Sequence, residues 1–400
     1  MDRQASLIAQ SFNNLAHSLS HMVMVLYPTA VLGMTAGFGL SYGEMVALAT
    51  PGLVLYGVAA LPAGWLGDRW SAPGMMAIFF LGTGAATLAT GFARTPFEVM
   101  LGLAAVGLFS SIYHPVGIAW LISTAINPGR ALGINGIFGS IGIAAGPLFA
   151  GFATDWAGWR WAFIVPGLVG IAIGLGLLVA LRRLGSRARG SGREDAYPVA
   201  RGEAWRALGI LAGTTALAGM LYQSISIAMP KVFDERVALL SGDTAAIGAT
   251  VAAVYLASSC SQLMGGWLAD RFDLKWVYVV CNAAVAPLVA GAGVAAGLPV
   301  VAAVFLAISL SICGNPAENA MIARFAPERW RSVIYGAKFV LALGVSGLVA
   351  PLAIGYFDRT TGTTAMLLYV LGATSVVLAA LALMLPPSRQ GRAPQPALAD

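Results

Sequence analysis

The heptapeptide GWLGDRW fills residues 64–70, and GWLADRF fills residues 266–272. Glycine, tryptophan, acid and arginine recur in one order at an offset of 202. The offset persists outward along the chain. Tyr27-Pro28 meets Met229-Pro230 at 202, His114-Pro115 meets Asn315-Pro316 at 201, and Arg130 meets Arg331 at 201. Anchors held in register over this distance define an internal duplication, so one half can be read twice.

Each half is built for lipid. Hydrophobic residues make up 58% of the 400, charged residues 10%, and the mean hydropathy is +0.80. A soluble domain carries roughly 25% charged residues to hold its surface in water. Charges, prolines and glycines cut the chain into twelve apolar segments. They cover 7–34, 42–66, 73–93, 97–123, 131–153 and 160–181, then 205–229, 244–268, 275–295, 298–323, 332–357 and 362–385. About 20 apolar residues cross ~30 Å of hydrocarbon as a helix. The expected fold is an all-α integral membrane protein, with twelve transmembrane helices in two six-helix parallel repeats around a central cavity. Pro115 and Pro316, at matching places in the duplication, are expected to bend the fourth and tenth helices alike.

Residues 1–181 and 205–385 are the expected bundles. Between them, 182–204 reads as an Arg- and Gly-rich cytoplasmic linker, with a short amphipathic helix on the membrane surface. Residues 386–400 read as a disordered cytoplasmic tail. The opening MDRQASLIAQSFNN lacks a basic region followed by a cleavage site, and reads as the start of the first span. With both termini inside, 17 of the 23 Lys and Arg fall in cytoplasmic stretches and five in external ones, while Lys338 lies in a span. That asymmetry is the positive-inside pattern, and a multi-pass location in the cell (inner) membrane is expected.

Composition also excludes functions. Cys260, Cys281 and Cys313 lie in apolar segments without metal-like spacing, and read as packed thiols. The net charge of +6 is dispersed over short loops, which argues against a nucleic-acid partner. No nucleophile–base pair, metal cluster or nucleotide loop is legible, so neither an enzyme, a metal nor a cofactor is expected. Gly133, Gly136, Gly139, Gly142 and Gly146-Pro147 lie in an apolar segment with no preceding strand, and read as helix packing.

The two loop heptapeptides resemble the glycine–acid–basic signature of the major facilitator superfamily. GIAAGPLFAG, residues 142–151, is similar to the G-x-x-x-G-P motif of its antiporters, which singles out Gly142, Gly146 and Pro147. Within that superfamily, NNLAHSLSHMVMVLYP and the YHP at 113–115 look most like the fosmidomycin-resistance-type exporters. The resemblance implies that Asp68 and Arg69, with Asp270 and Arg271, latch the halves in one conformation, helped by Arg130 and Arg331. It also implies proton-coupled antiport and drug efflux. One position departs: where many of the antiporters carry an arginine in the fourth span, Leu103 stands before Gly107.

Polar residues at mid-depth are the candidate substrate and proton site. Asn13, Asn14, His17 and His21 cluster in the first segment, with the histidines four apart on one face. His21 pairs by repeat with Gln223, and His114 with Asn315, so the ionisable set is one-sided. Histidine's unperturbed pKa, about 6.5, suits it to carry protons. Tyr27, Tyr113 and Tyr222 complete the candidate lining. At ~1.5 Å rise per residue, Glu318 and Lys338 lie equally deep on adjacent helices, which predicts an ion pair. Each of these polar residues also has a plain structural reading, as a helix-to-helix contact.

The expectation is a monomeric secondary active transporter in the lipid bilayer, exporting a small, anionic toxic compound or metabolite in exchange for protons. Proton-coupled uptake is the alternative, and a non-transporting sensor the third.

Overall fold

In a computed structural model, residues 3–126, 128–184, 201–327 and 331–388 are described. Among them, twelve helical segments are long and apolar enough to cross a membrane. Spans 1 to 6 are Ser6–Phe38, Tyr42–Arg69, Ala72–Gly91, Pro96–Thr124, Arg130–Ala157 and Trp161–Arg182. Spans 7 to 12 are Gly202–Arg236, Thr244–Arg271, Leu274–Val294, Leu298–Phe325, Gly336–Thr361 and Ala365–Ala382. They alternate in direction. Both chain ends therefore approach one face, here the termini face, and the odd-to-even hairpins turn at the far face.

Local sequence sets the hairpins. Ser41 accepts from the Glu44 amide while Glu44 reaches back to the Ser41 amide, a capping box that starts span 2. Thr95 caps span 4, with Pro96 at its first position, and Asp243 caps span 8. Gly362 has φ 65° and closes span 11, as Gly158, φ 93°, follows span 5 in the first half.

Within each half, close approach needs small residues, since lipid gives helices no hydrophobic reason to associate. A Cβ at Gly142 would lie 2.2 Å from the Ser18 carbonyl oxygen, and one at Gly146 2.8 Å from that of Met22, so span 5 lies directly on span 1. Gly133 and Gly136 take no part, because a Cβ there would meet nothing within 4 Å. The halves meet through spans 1, 2 and 5 on one side and 7, 8 and 11 on the other.

Several expectations change. Span 6 continues as helix to Leu184, and the helix holding span 7 begins at Arg201, so both ends of the expected linker are helical. Residues 185–200, with the amphipathic helix expected there, lie outside the described residues, as do 389–400 of the tail. Ser388 is not loose: it is fully buried, and its amide donates to Asp273 Oδ2 at 3.1 Å beside the start of span 9. Cys260 is exposed rather than packed, unlike Cys281 and Cys313. Finally, Pro115 and Pro316 do not act alike. Span 4 widens into a π turn at Tyr113–Gly117, but span 10 runs through Pro316 as unbroken helix. A second π turn lies in span 11, at Val340–Val345.

Candidate functional site

Span 1 brings His17 and His21 onto one face, and span 4 adds His114 from its π turn. The Nε2 atoms of His17 and His21 are 3.1 Å apart, and one ring nitrogen from each of the three histidines lies within 4.8 Å of the others. His17 Nδ1 lies 2.8 Å from the Asn135 carbonyl, which can only accept, so Nδ1 carries the hydrogen and Nε2 faces His21 as acceptor. Gly139 makes room for this ring; a Cβ there would meet it at 2.6 Å. No metal site was expected from the sequence. The spacing of the pair in span 1 was visible, but His114 joins it only through tertiary packing.

Asn135 holds the cluster together, and the sequence reading passed over it. Its Oδ1 accepts from the Tyr113 hydroxyl at 2.8 Å, and its Nδ2 reaches Asn13 O at 3.0 Å and Asn14 Oδ1 at 3.2 Å. It is the lone carboxamide in the fifth apolar segment, which was the available signal. Tyr113 is fully buried and therefore supports the site from behind. Asn13 is buried as well, with Nδ2 donating to Ala9 O at 2.8 Å.

The second half carries charge where the first carries imidazole. Lys338 Nζ lies 2.6 Å from Glu318 Oε2 and 2.6 Å from Asn319 Oδ1. The other Glu318 oxygen accepts from Thr215 at 2.5 Å and Tyr278 at 3.3 Å. Spans 7, 9, 10 and 11 thus converge on one buried carboxylate, 3% exposed. Removing one member of such a pair costs about 3–5 kcal/mol, because the other charge is left unpaired. Thr215 and Glu318 are the repeat counterparts of Asn13 and Gly117, so one slot holds a carboxylate in one half and none in the other.

The two centres adjoin at one contact. The His114 ring stacks on Phe339, centroids 5.8 Å apart at 23°, and Phe339 follows Lys338. Other candidates stand elsewhere. Tyr27 is buried toward the far face, its hydroxyl donating to Met45 O at 2.5 Å, beside a small apolar cavity that Leu103 and Ile227 also line. Tyr222 and Gln223 are half-buried, and Asn315 is exposed one turn before Asn319, on the face that Lys338 approaches.

The two faces of the molecule differ in how the halves are joined. At the far face, Asp358 Oδ2 accepts from the Gly43 amide at 2.9 Å, and Asp155 Oδ2 from the Ala245 amide at 2.6 Å. Gly43 and Ala245 are repeat counterparts, each the second residue of a span, so each half caps a helix N-terminus of the other. The Tyr42 hydroxyl donates across the same seam to Ile227 O at 2.8 Å. Backbones nearly touch there: a Cβ at Gly151 would lie 2.4 Å from Thr244 O, and one at Gly248 2.3 Å from Pro147 O. At the termini face, Asp68, Arg69, Asp270, Arg271 and Arg130 are exposed. Arg69 lies over Trp65 and Arg271 over Trp267, both at 4.4 Å, and among the described residues neither aspartate has an ion pair. Both aspartates stand in the last turn of their own helices, and Ser71 caps the start of span 3. The Arg331 side chain lies outside the described part.

A duplicated twelve-span bundle, tied at one face, less closely joined at the other among the described residues, and polar between, has the build of a membrane transporter. The Major Facilitator Superfamily profile matches residues 14–241 and 211–399, and the chain belongs to that family of secondary transporters. It is 24% identical over 387 residues to the D-galactonate transporter of Escherichia coli O6:H1, covering 85% of this chain and 87% of the other. A puromycin resistance protein of Streptomyces alboniger is 32% identical over 147 residues, but the match spans only 28% of its length and 36% of this chain. Among solved structures, a bacterial homologue of the human lysosomal transporter Spinster, inward-facing and unoccupied, superposes with a TM-score of 0.75. It covers 96% of this chain and 95% of the other at 14% identity. The nucleoside transporter NupG gives 0.74 at 13% identity, covering 95% and 99%. Both are likenesses of fold.

Proposed function

We propose that this chain moves a small organic anion together with a proton, by alternating access, across the inner membrane with both termini in the cytoplasm. On that orientation the less closely joined termini face makes this the inward-facing state. The observation that carries the proposal is the Glu318–Lys338 pair, 2.6 Å long and satisfied on its remaining sides by Thr215, Tyr278 and Asn319. Lys338 needs one negative partner. An arriving anion that takes Lys338 leaves Glu318 as a buried carboxylate without a counter-charge, and a proton neutralises it. Proton and anion therefore bind together and travel the same way. Exchange, the expectation drawn from the fosmidomycin-resistance likeness at His17, His21 and YHP, requires the two to compete instead. The D-galactonate relative, matched over most of its length, carries a substrate of this charge class.

The test is uptake of sugar acids and other small organic anions by proteoliposomes under an imposed pH gradient. An acidic outside should drive accumulation. Glu318→Gln should retain anion counterflow but lose gradient-driven accumulation, and Lys338→Met should lose both. Accumulation driven by the opposite gradient would establish exchange and sink the symport reading. Silence toward every anion, with transport of cations, would remove the anion.

A further inference from the structure

The geometry points to a transition-metal site at His17, His21 and His114, taking a divalent first-row cation such as Zn²⁺. Three neutral nitrogen donors from two helices converge within 4.8 Å of one another. Tetrahedral zinc with bonds of about 2.1 Å places its ligand nitrogens about 3.4 Å apart. His17 and His21 already stand at 3.1 Å. His114 closes the remaining distance from a π turn, a widened stretch of helix that adjusts without breaking its neighbours.

The support behind the ligands has the form a metal centre needs. A coordinating imidazole donates its other N–H to a carbonyl or carboxylate, which fixes the tautomer and turns the ring. The Asn135 carbonyl does this for His17, at 2.8 Å from Nδ1, leaving Nε2 for the ion. Asn135 is itself held by Tyr113, Asn13 and Asn14. His114 is fixed by rings instead: Tyr113 at 5.0 Å, Tyr56 at 6.1 Å and Phe339 at 5.8 Å. Among the described residues its ring nitrogens have no hydrogen-bond partner, so hydrogen bonding explains two of the three histidines and coordination all three.

Donor chemistry narrows the ion. An all-imidazole set suits Zn²⁺, Co²⁺, Ni²⁺ or Cu²⁺, and disfavours Mg²⁺ and Ca²⁺, which take oxygen ligands. No described carboxylate joins the cluster. The ion keeps its charge, so its fourth position holds water or an anionic oxygen. All three histidines are only half-buried. This site is separate from the Glu318–Lys338 pair, and its failure would leave the anion proposal standing.

The experiment uses full-length protein in detergent, with no polyhistidine tag and stripped of metal. Equilibrium dialysis against Zn²⁺, read by elemental analysis, should give about one ion per chain. Co²⁺ in its place should give the visible absorption of a four-coordinate site. His114→Ala and His21→Ala should each weaken binding by at least about tenfold, with elution as a single species confirming the fold. His114→Cys should restore Zn²⁺ binding and add a thiolate-to-Co²⁺ charge-transfer band, a signal that a packing role cannot produce. Absence of stoichiometric binding, or equal binding by a chain with all three histidines replaced by alanine, would overturn the site.

Discussion

The far face and the termini face carry the same four helices, spans 2, 5, 8 and 11, and treat them in opposite ways. At the far face two aspartates each cap a helix start in the other half, and glycines let backbone lie on backbone. At the termini face two aspartates at repeat-related positions stand exposed, and a Cβ added at Gly133, Gly136 or Gly266 would meet nothing within 4 Å. Like residues, acid and glycine, thus close one end and, among the described residues, leave the other less joined, with spans 2 and 11 still meeting at Leu61 and Gly336. What separates them is what they reach: all four aspartates stand in the last turn of their own helices, but only Asp155 and Asp358 are carried onto a helix start of the other half, where unpaired amides wait.

The comparison breaks most sharply if both caps are removed. Asp155→Ala with Asp358→Ala should favour the opposite, far-open state by about 3 kcal/mol. Spin labels on spans 5 and 8 should report a longer far-face distance, and an unchanged distribution would dissociate the caps from closure. Gly151→Val comes next, since its side chain would strike the Thr244 carbonyl; overpacking of this kind costs about 2 kcal/mol. Its control is Gly136→Val at the less joined end, which should leave the melting temperature and the distance unaltered. Single cap removals should follow, at about 1.5 kcal/mol each, with half-buried Asp358 costing more than exposed Asp155. Smallest is Asp68→Ala, within about 0.5 kcal/mol for this state, because that carboxylate has no ion pair here among the described residues. A large loss of thermal stability would mean that it has a partner in this state after all.

Much of the fold lies open in the chain, and less of the site. Two GWL heptapeptides, at 64 and 266, carry the duplication, and hydropathy carries the spans. Depth counting along two helices puts Glu318 and Lys338 level, since both arms of a hairpin obey the same rise, and their charges meet at 2.6 Å. Asn135 was harder to see: a single amide among glycines acquires meaning only when Tyr113, His17 and Asn14 arrive from two other helices. Asp155 and Asp358 look like solvated span ends until the other half supplies an amide. The expectation that the two prolines act alike failed for a different reason. A proline removes one helical hydrogen bond, but neighbouring helices decide whether the backbone widens, and around Pro316 the helix stays regular.

The two π turns matter in mechanical terms. Spans 4 and 11 are helical on both sides of a widened turn, and in each that turn lies at or beside the His114–Phe339 contact between the halves. A wide turn is the compliant point of a helix, so under the proposed alternating access strain would gather there. Phe339 and Lys338 lie at the edge of one such joint, and His114 lies inside the other. Any tilt of one half against the other therefore changes the aim of an imidazole and an ammonium in the same movement.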